Sequence, residues 1–131
     1  MSKPSQPEEP RPLTPVELEL MQLVWKQGEV SVADVLAALP PERKLAYTSV
    51  STVLRILEQK GVVQSRKVGR GHLYSARLPR EAYEVQSVRH LVDTVFDGTA
   101  SALVARLVEA VPLSPEEVEQ IRKLLGRKGG K

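Results

Sequence analysis

The stretch YTSVSTVLRILEQKG, Tyr47–Gly61, decides how the rest of the chain is read. With Val50 as the centre of a face, Val53, Leu54 and Leu57 follow at i+3, i+4 and i+7, which predicts a helix with one apolar stripe. The opposite face collects Thr48, Ser51, Thr52, Arg55 and Gln59. Serine and threonine are mediocre helix formers because their hydroxyls compete for backbone groups. Thr48, Ser49, Ser51 and Thr52 so close together therefore need a reason. A helix lying deep in a major groove supplies one. Small side chains let its backbone approach, and hydroxyls reach phosphates or base edges at close range. Arg55 suits guanine, Gln59 suits adenine, and the helix start at Thr48–Ser49 suits a phosphate. A solvated helix whose hydroxyls have no role would look the same in this segment alone.

The flanking sequence separates the two readings. Upstream, LTPVE carries Thr14 as a cap, Pro15 at the first helical position, Glu17 to close a capping box, and Leu13 and Leu18 for a hydrophobic staple. The helix that follows keeps Val16, Leu20, Leu23 and Val24 on one side and ends at Lys26-Gln27-Gly28. SVADVLAAL starts a second helix, with Ser31 as cap and Asp34 three residues on; Val32, Val35, Leu36 and Leu39 face inward, and Pro40-Pro41 stops it. Downstream of Gly61 the period shortens. Val62–Arg66 and His72–Leu78 are β-prone runs around a basic turn with Gly69 and Gly71. Three short helices followed by a two-stranded hairpin is the plan of a winged helix-turn-helix, with the third helix in the recognition position. Arg66, Lys67 and Arg70 at the hairpin are then expected backbone contacts. Tyr47 and Trp25 are expected to pack, Tyr47 as a core-edge aromatic closing the turn and Trp25 against the helices.

Beyond Pro79 the pattern is helical again. Val85, Val88, Leu91, Val92, Val95 and Phe96 recur at steps of three and four until Asp97-Gly98. Leu103, Val104, Leu107, Val108 and Val111 make a second stripe. Ser114-Pro115-Glu116-Glu117 starts a third, through Val118, Ile121, Leu124 and Leu125. Three amphipathic helices outside a small DNA-binding module expose more apolar stripe than a monomer covers, so a homodimer is expected. Its candidate contacts are Val88, Leu91, Val92, Val95 and Phe96, then Leu103, Leu107 and Val111, then Ile121 and Leu124. The fold class is thus mainly α with a small antiparallel β-hairpin, a winged helix-turn-helix followed by a helical dimerisation region. In outline, residues 1–12, with four prolines, form a disordered arm. Residues 13–79 form the winged-helix DNA-binding domain, 80–125 the helical dimerisation region and 126–131 a flexible tail.

Charge follows the same division. Nine lysines and arginines lie from Arg43 to Arg80 against one acid, Glu58, a balance of 9 − 1 = +8. From Glu81 to Leu125, four bases stand against eight acids, 4 − 8 = −4. The whole chain is only +3, so it is the segregation that points to a polyanion on one half. With no cysteine among 131 residues, disulfides, zinc–thiolate sites and thiol catalysis are excluded. His72 and His90 stand alone, with no metal-ligand spacing and no glycine-rich strand-to-helix loop, so no catalytic residue, metal site or cofactor is expected. The apolar runs are too short for membrane insertion, and the start MSKPSQPEEPRPL has no signal-peptide core, so a cytoplasmic location is expected. A competing function of another class is a winged helix that binds protein rather than specific DNA.

LTPVELELMQLVWKQGEVSVADVLAALP followed by YTSVSTVLRILEQKGVVQSRKVGRGHLY resembles the penicillinase-repressor family of winged-helix regulators, which includes methicillin-resistance and copper-responsive repressors. The resemblance continues through LVDTVFDGTASALVARLVE and LSPEEVEQIRKLL, about residues 13 to 125. It implies a transcriptional repressor that binds a palindromic double-stranded operator as a dimer. By position, it implies Thr48, Ser49, Ser51, Thr52 and Arg55 as helix contacts and Arg66, Lys67 and Arg70 as wing contacts. The copper-responsive branch has a cysteine motif near its C-terminus, which this chain lacks. The β-lactam-responsive members are inactivated when a membrane-bound sensor metalloprotease partner triggers a cut just before a phenylalanine in the dimerisation helices. Here that bond would be Val95–Phe96, and the regulated process antibiotic resistance. The residue before the phenylalanine is Val95, however, where staphylococcal-type proteins carry asparagine.

Overall fold

Thr14 starts the first helix as its sequence dictates: its hydroxyl accepts from the Glu17 N–H at 3.2 Å, and the Glu17 carboxylate accepts from the Thr14 N–H at 2.9 Å. The computed structural model describes residues 12–130, with side chains through residue 128. All but Pro12 of the expected N-terminal arm lies outside the described residues. The helix α1 spans Pro15–Gln27, then come β1 (Glu29–Val30), α2 (Val32–Ala38), α3 (Tyr47–Gln59), β2 (Val63–Val68) and β3 (Gly71–Ala76). Ser31 and Asp34 form the second expected capping box, at 2.9 and 3.0 Å.

The hairpin gains a third strand that the sequence pattern does not reveal. Glu29–Val30 adds antiparallel to the outer side of β3, giving the order β1-β3-β2. Two residues are too few to show a period. The strands are shifted from the expected Val62–Arg66 and His72–Leu78 because the turn is tight: Val68 pairs with Gly71, leaving Gly69-Arg70 as the loop. Gly69 has φ +59 while Arg70 does not enter the positive region. A positive φ at the first loop position alone is the pattern of a type II′ hairpin turn, open to glycine without strain.

One core joins these elements. Leu20, Met21 and Val24 of α1, Val35 of α2, and Val50, Leu54 and Leu57 of α3 are fully buried together with Val30, Val62 and Val63. Tyr74 closes it from β3. The apolar stripe read from Val50 is therefore the buried side of α3, with Val53 half-buried at its margin.

The remaining helices are α4 (Arg80–Val95), α5 (Ala100–Ala110) and α6 (Pro115–Gly130). The chain divides into two compact units, one ending at Val88 and one beginning at Arg89. The division falls inside α4 and not at Pro79. The first turns of α4 belong with α1, because Tyr83 meets Trp25 at 5.7 Å between ring centroids and Arg80 lies 5.1 Å over the Trp25 ring. Trp25 also donates from Nε1 to the Leu78 carbonyl at 2.9 Å, so it packs as expected. In the second unit, Asp97 and Gly98 turn the chain with φ 55 and 79. Ser114 and Glu117 close a capping box at 3.1 and 3.2 Å for α6. That helix runs on through the expected tail to Gly130, with Arg127 and Lys128 in its last turn, where cations suit the helix dipole.

Candidate nucleic-acid interface

On α3 the two faces separate cleanly. Thr48, Ser49, Thr52, Arg55 and Gln59 are exposed and Ser51 is half-buried, while Val50, Leu54 and Leu57 on the other side are buried. Nothing in the described residues engages the outer face strongly; the Arg55 guanidinium only touches the Ser51 hydroxyl, at 3.5 Å and one turn back. No side chain caps α3, whose N-cap is Ala46, so its first N–H groups have no side-chain partner among the described residues.

Beside this face the wing folds up to enclose a cleft of about 380 Å³, lined by Ser51, Arg55 and Glu58 of α3, Ser65 of β2, and Arg70 and His72 of the hairpin. Tyr47 and Tyr74 complete its wall, with the N-terminal end of α2. The cross-strand register explains which wing residues take part. Ser65 faces Tyr74 and Lys67 faces His72, and paired residues share a side of the sheet. Ser65, Lys67, His72 and Tyr74 therefore look toward α3, and Ser65 donates to the Glu58 carboxylate at 2.8 Å.

Arg66 lies on the other side. It pairs with Leu73, and its guanidinium forks onto Glu29 of β1 at 2.8 and 3.1 Å. The hydrogen bond from Arg66 holds the Glu29 carboxyl below its usual range, and the same pair raises Arg66. Of the three wing cations read from the sequence, Lys67 and Arg70 thus stand on the α3 side of the wing and Arg66 stands on the other. The reason is the period of two, since successive strand residues point to opposite faces.

One further difference concerns an aromatic group. Tyr47 is 58% exposed and lines the cleft, so it is not a core-edge residue. Tyr47 stands three residues before Val50, in line with the buried stripe, but as the first residue of α3 it lies past the edge of the core and opens onto the cleft. His72, which the sequence places in the wing near phosphate rather than at a metal, lies in the cleft with its ring tilted against Tyr74 at 6.4 Å between centroids. The two-residue turn would have placed it opposite Lys67. Burial raises the Tyr74 phenol above its ordinary value, and the Glu58 charge adds to the rise while Arg55 opposes it.

An ion pair between a buried carboxylate and an exposed lysine sets the far end of α3. Lys60 reaches both oxygens of Glu17 at 2.8 and 2.9 Å. Burial works to raise the Glu17 carboxyl, but the hydrogen bonds from Lys60 and from the Thr14 N–H outweigh it and hold it low. The capping box was legible in the sequence; its second use, as the anchor of the C-terminal end of α3, was not.

Elsewhere the described residues hold no group of three or more His, Cys, Asp or Glu able to bind a metal, and no helix long and apolar enough to cross a membrane. The helices α4, α5 and α6 bury none of their described side chains, and Val88, Leu91, Val95, Leu107, Val111 and Leu124 are exposed at 40–64%. Val92, Phe96, Leu103 and Ile121 are half-buried.

Comparison with known proteins agrees with this geometry. The family model described as penicillinase repressor matches residues 13–127. A penicillinase repressor of Bacillus licheniformis is 24% identical over 86% of this chain and 88% of its own length. The methicillin resistance regulatory protein MecI of Staphylococcus aureus is 21% identical over 88% of this chain and 94% of its own. Among solved structures, the DNA binding domain of the repressor BlaI aligns with TM-score 0.51 at 24% identity, covering 60% of this chain and 94% of that domain, which shows the same fold.

Proposed function

The chain belongs to the penicillinase repressor family, a family of regulatory DNA-binding proteins and not of enzymes, and from that premise we propose that it is a dimeric repressor reading a palindromic operator in the cytoplasm. One observation carries the reading. The hydroxyl, Arg55 and Gln59 face of α3 stands unengaged beside a cleft walled by Arg70 and His72, on the most basic half of the chain. A helix so presented enters a major groove, where Arg55 and Gln59 reach base edges and Thr48, Ser49, Ser51 and Thr52 hold phosphates or close base contacts. Lys67 and Arg70 add backbone contacts from the wing.

Two copies are needed for useful affinity, because linked half-sites turn the second binding event into an intramolecular one. The exposed stripes on α4, α5 and α6 support that pairing. Relief of repression by a cut between Val95 and Phe96, triggered through a membrane-bound metalloprotease partner, is the finer part of the proposal. Val95 ends α4 and is 64% exposed, which suits access by a protease in the single chain. A cut there would separate the stripe on α4 from those on α5 and α6.

The test is fluorescence anisotropy on a generic duplex across a salt series, followed by in vitro selection of bound sequences. Log affinity should fall steeply with log salt, by roughly 0.9 for each phosphate engaged. Selection should enrich an inverted repeat. Binding without salt dependence, or no enriched sequence, would leave the winged helix as a protein-binding module.

A further inference from the structure

Glu58 is the one acid among the charged residues from Arg43 to Arg80. It lies one residue before the end of α3, half-buried, in the wall of the cleft that also holds Arg55, Arg70 and His72. Three ordinary reasons for a carboxylate do not account for it. Among the described residues it has no ion-pair partner, although Arg55 is a turn away. It stands near the C-terminus of its helix, where the helix dipole disfavours a negative charge. It accepts a hydrogen bond from Ser65 at 2.8 Å, but a glutamine carbonyl would accept that bond too, more weakly, and bring no charge. Beyond strengthening that one bond, the charge has no structural use among the described residues.

We propose that Glu58 is a specificity-determining residue, whose unpaired carboxylate repels phosphates that enter the cleft out of register. The inference rests on the DNA-binding reading above and deepens it. On the operator, base contacts from α3 set the register and hold the backbone at the cations of the wing. On random DNA no such contacts fix the register, and phosphates sample the whole cleft, including the neighbourhood of Glu58. A like charge there weakens the unwanted complexes more than the wanted one, which is discrimination by repulsion. The surrounding cations supply affinity for any duplex. Glu58 takes part of that affinity back where sequence is not read.

The experiment compares Glu58→Gln and Glu58→Asp with the wild-type chain. Each is titrated by fluorescence anisotropy onto two duplexes of equal length, one recovered by selection on the wild-type chain and one of random sequence. Glutamine keeps the bond from Ser65 and loses the charge; aspartate keeps the charge. Thermal melting confirms that each variant folds. Glu58→Gln should bind the random duplex about three- to tenfold more tightly, as removal of one charge near phosphate implies. Its affinity for the selected duplex should change less, so that the ratio of the two falls, and Glu58→Asp should keep the wild-type ratio. Equal tightening on both duplexes would overturn the proposal, leaving Glu58 as bulk charge. Loss on the selected duplex alone would make it a base reader, and weakening on both would make it a support of the wing; either result also overturns it. A wild-type chain that binds the random duplex with no salt dependence would overturn the DNA-binding reading itself, which separates that failure from a failure of Glu58.

Discussion

Arg66 and Glu29 are joined by a forked ion pair across the middle strand of the wing, with Nε and Nη2 of the arginine meeting the two carboxylate oxygens at 2.8 and 3.1 Å. The pair lies on the side of the sheet turned away from α3, and its charge is already balanced. Arg66→Ala should therefore weaken DNA binding clearly less than Arg70→Ala. Anisotropy titrations of both variants on one random duplex at the same salt concentration give the comparison. An equal loss would mean that Arg66 leaves Glu29 and turns to the backbone in the complex.

Arg55 and Arg70 should differ in kind. Arg55→Ala should cost about 1–3 kcal/mol on the selected duplex if it pairs with guanine, with a smaller effect on random DNA. Arg70→Ala should weaken both more evenly, as a phosphate contact does. Competition shift assays with the two variants decide the matter. Equal losses on both duplexes for Arg55→Ala would remove its base-reading role.

The anchor at Glu17 and Lys60 makes a stability prediction. Glu17 is 6% exposed, and its replacement by alanine removes both a cap partner and the counter-charge of Lys60. Urea unfolding at pH 7 should show a loss of about 2–3 kcal/mol. The pH dependence has a definite sign. The folded carboxyl titrates below the ordinary glutamate value of 4.5, so the unfolded chain binds more protons between the two values. The contribution is complete above pH 4.5 and is lost as pH falls through the folded value. Wild type should thus lose more stability than Glu17→Ala on acidification below that pH. Parallel losses would show that other carboxylates govern acid unfolding.

Pairing through the second unit predicts a monomer when its stripes are charged. The double variant Leu91→Asp, Leu107→Asp changes two exposed positions, at about 40% each, so the helical signal should survive while sedimentation equilibrium reports single chains. A variant that remains dimeric would place the interface elsewhere.

Induced proteolysis predicts a fragment of defined length. With an N-terminal tag, immunoblots of cells exposed to a β-lactam should show a product ending near Val95 as the operator is derepressed. Derepression with the chain whole would sink the mechanism. Substituting Val95 by asparagine tests the departure from the staphylococcal-type pattern at the cut itself, and it should speed the cut if that residue is what the protease reads.

Much of this molecule follows from short-range pattern. Thr14 with Glu17, Ser31 with Asp34, and the stripe from Val50 to Leu57 were legible because each is set by residues three or four apart. The exposed face of α3 was legible for the same reason, being whatever the stripe leaves over. The strand β1 was too short to show a period, and it changes the chemistry of the wing by bringing Glu29 to Arg66, 37 residues away. Lys60 meets Glu17 across 43 residues, and Glu58 meets Ser65 across the turn between helix and strand. Periodicity tells each helix or strand which of its own faces is apolar, and so it named α3 and its outer residues. It carries no information about which face meets which, because that is settled by long-range packing around one core. That packing put Arg66 behind the wing, Tyr47 and His72 in the cleft, and the Glu58 carboxylate with Arg55 and Arg70 in its wall.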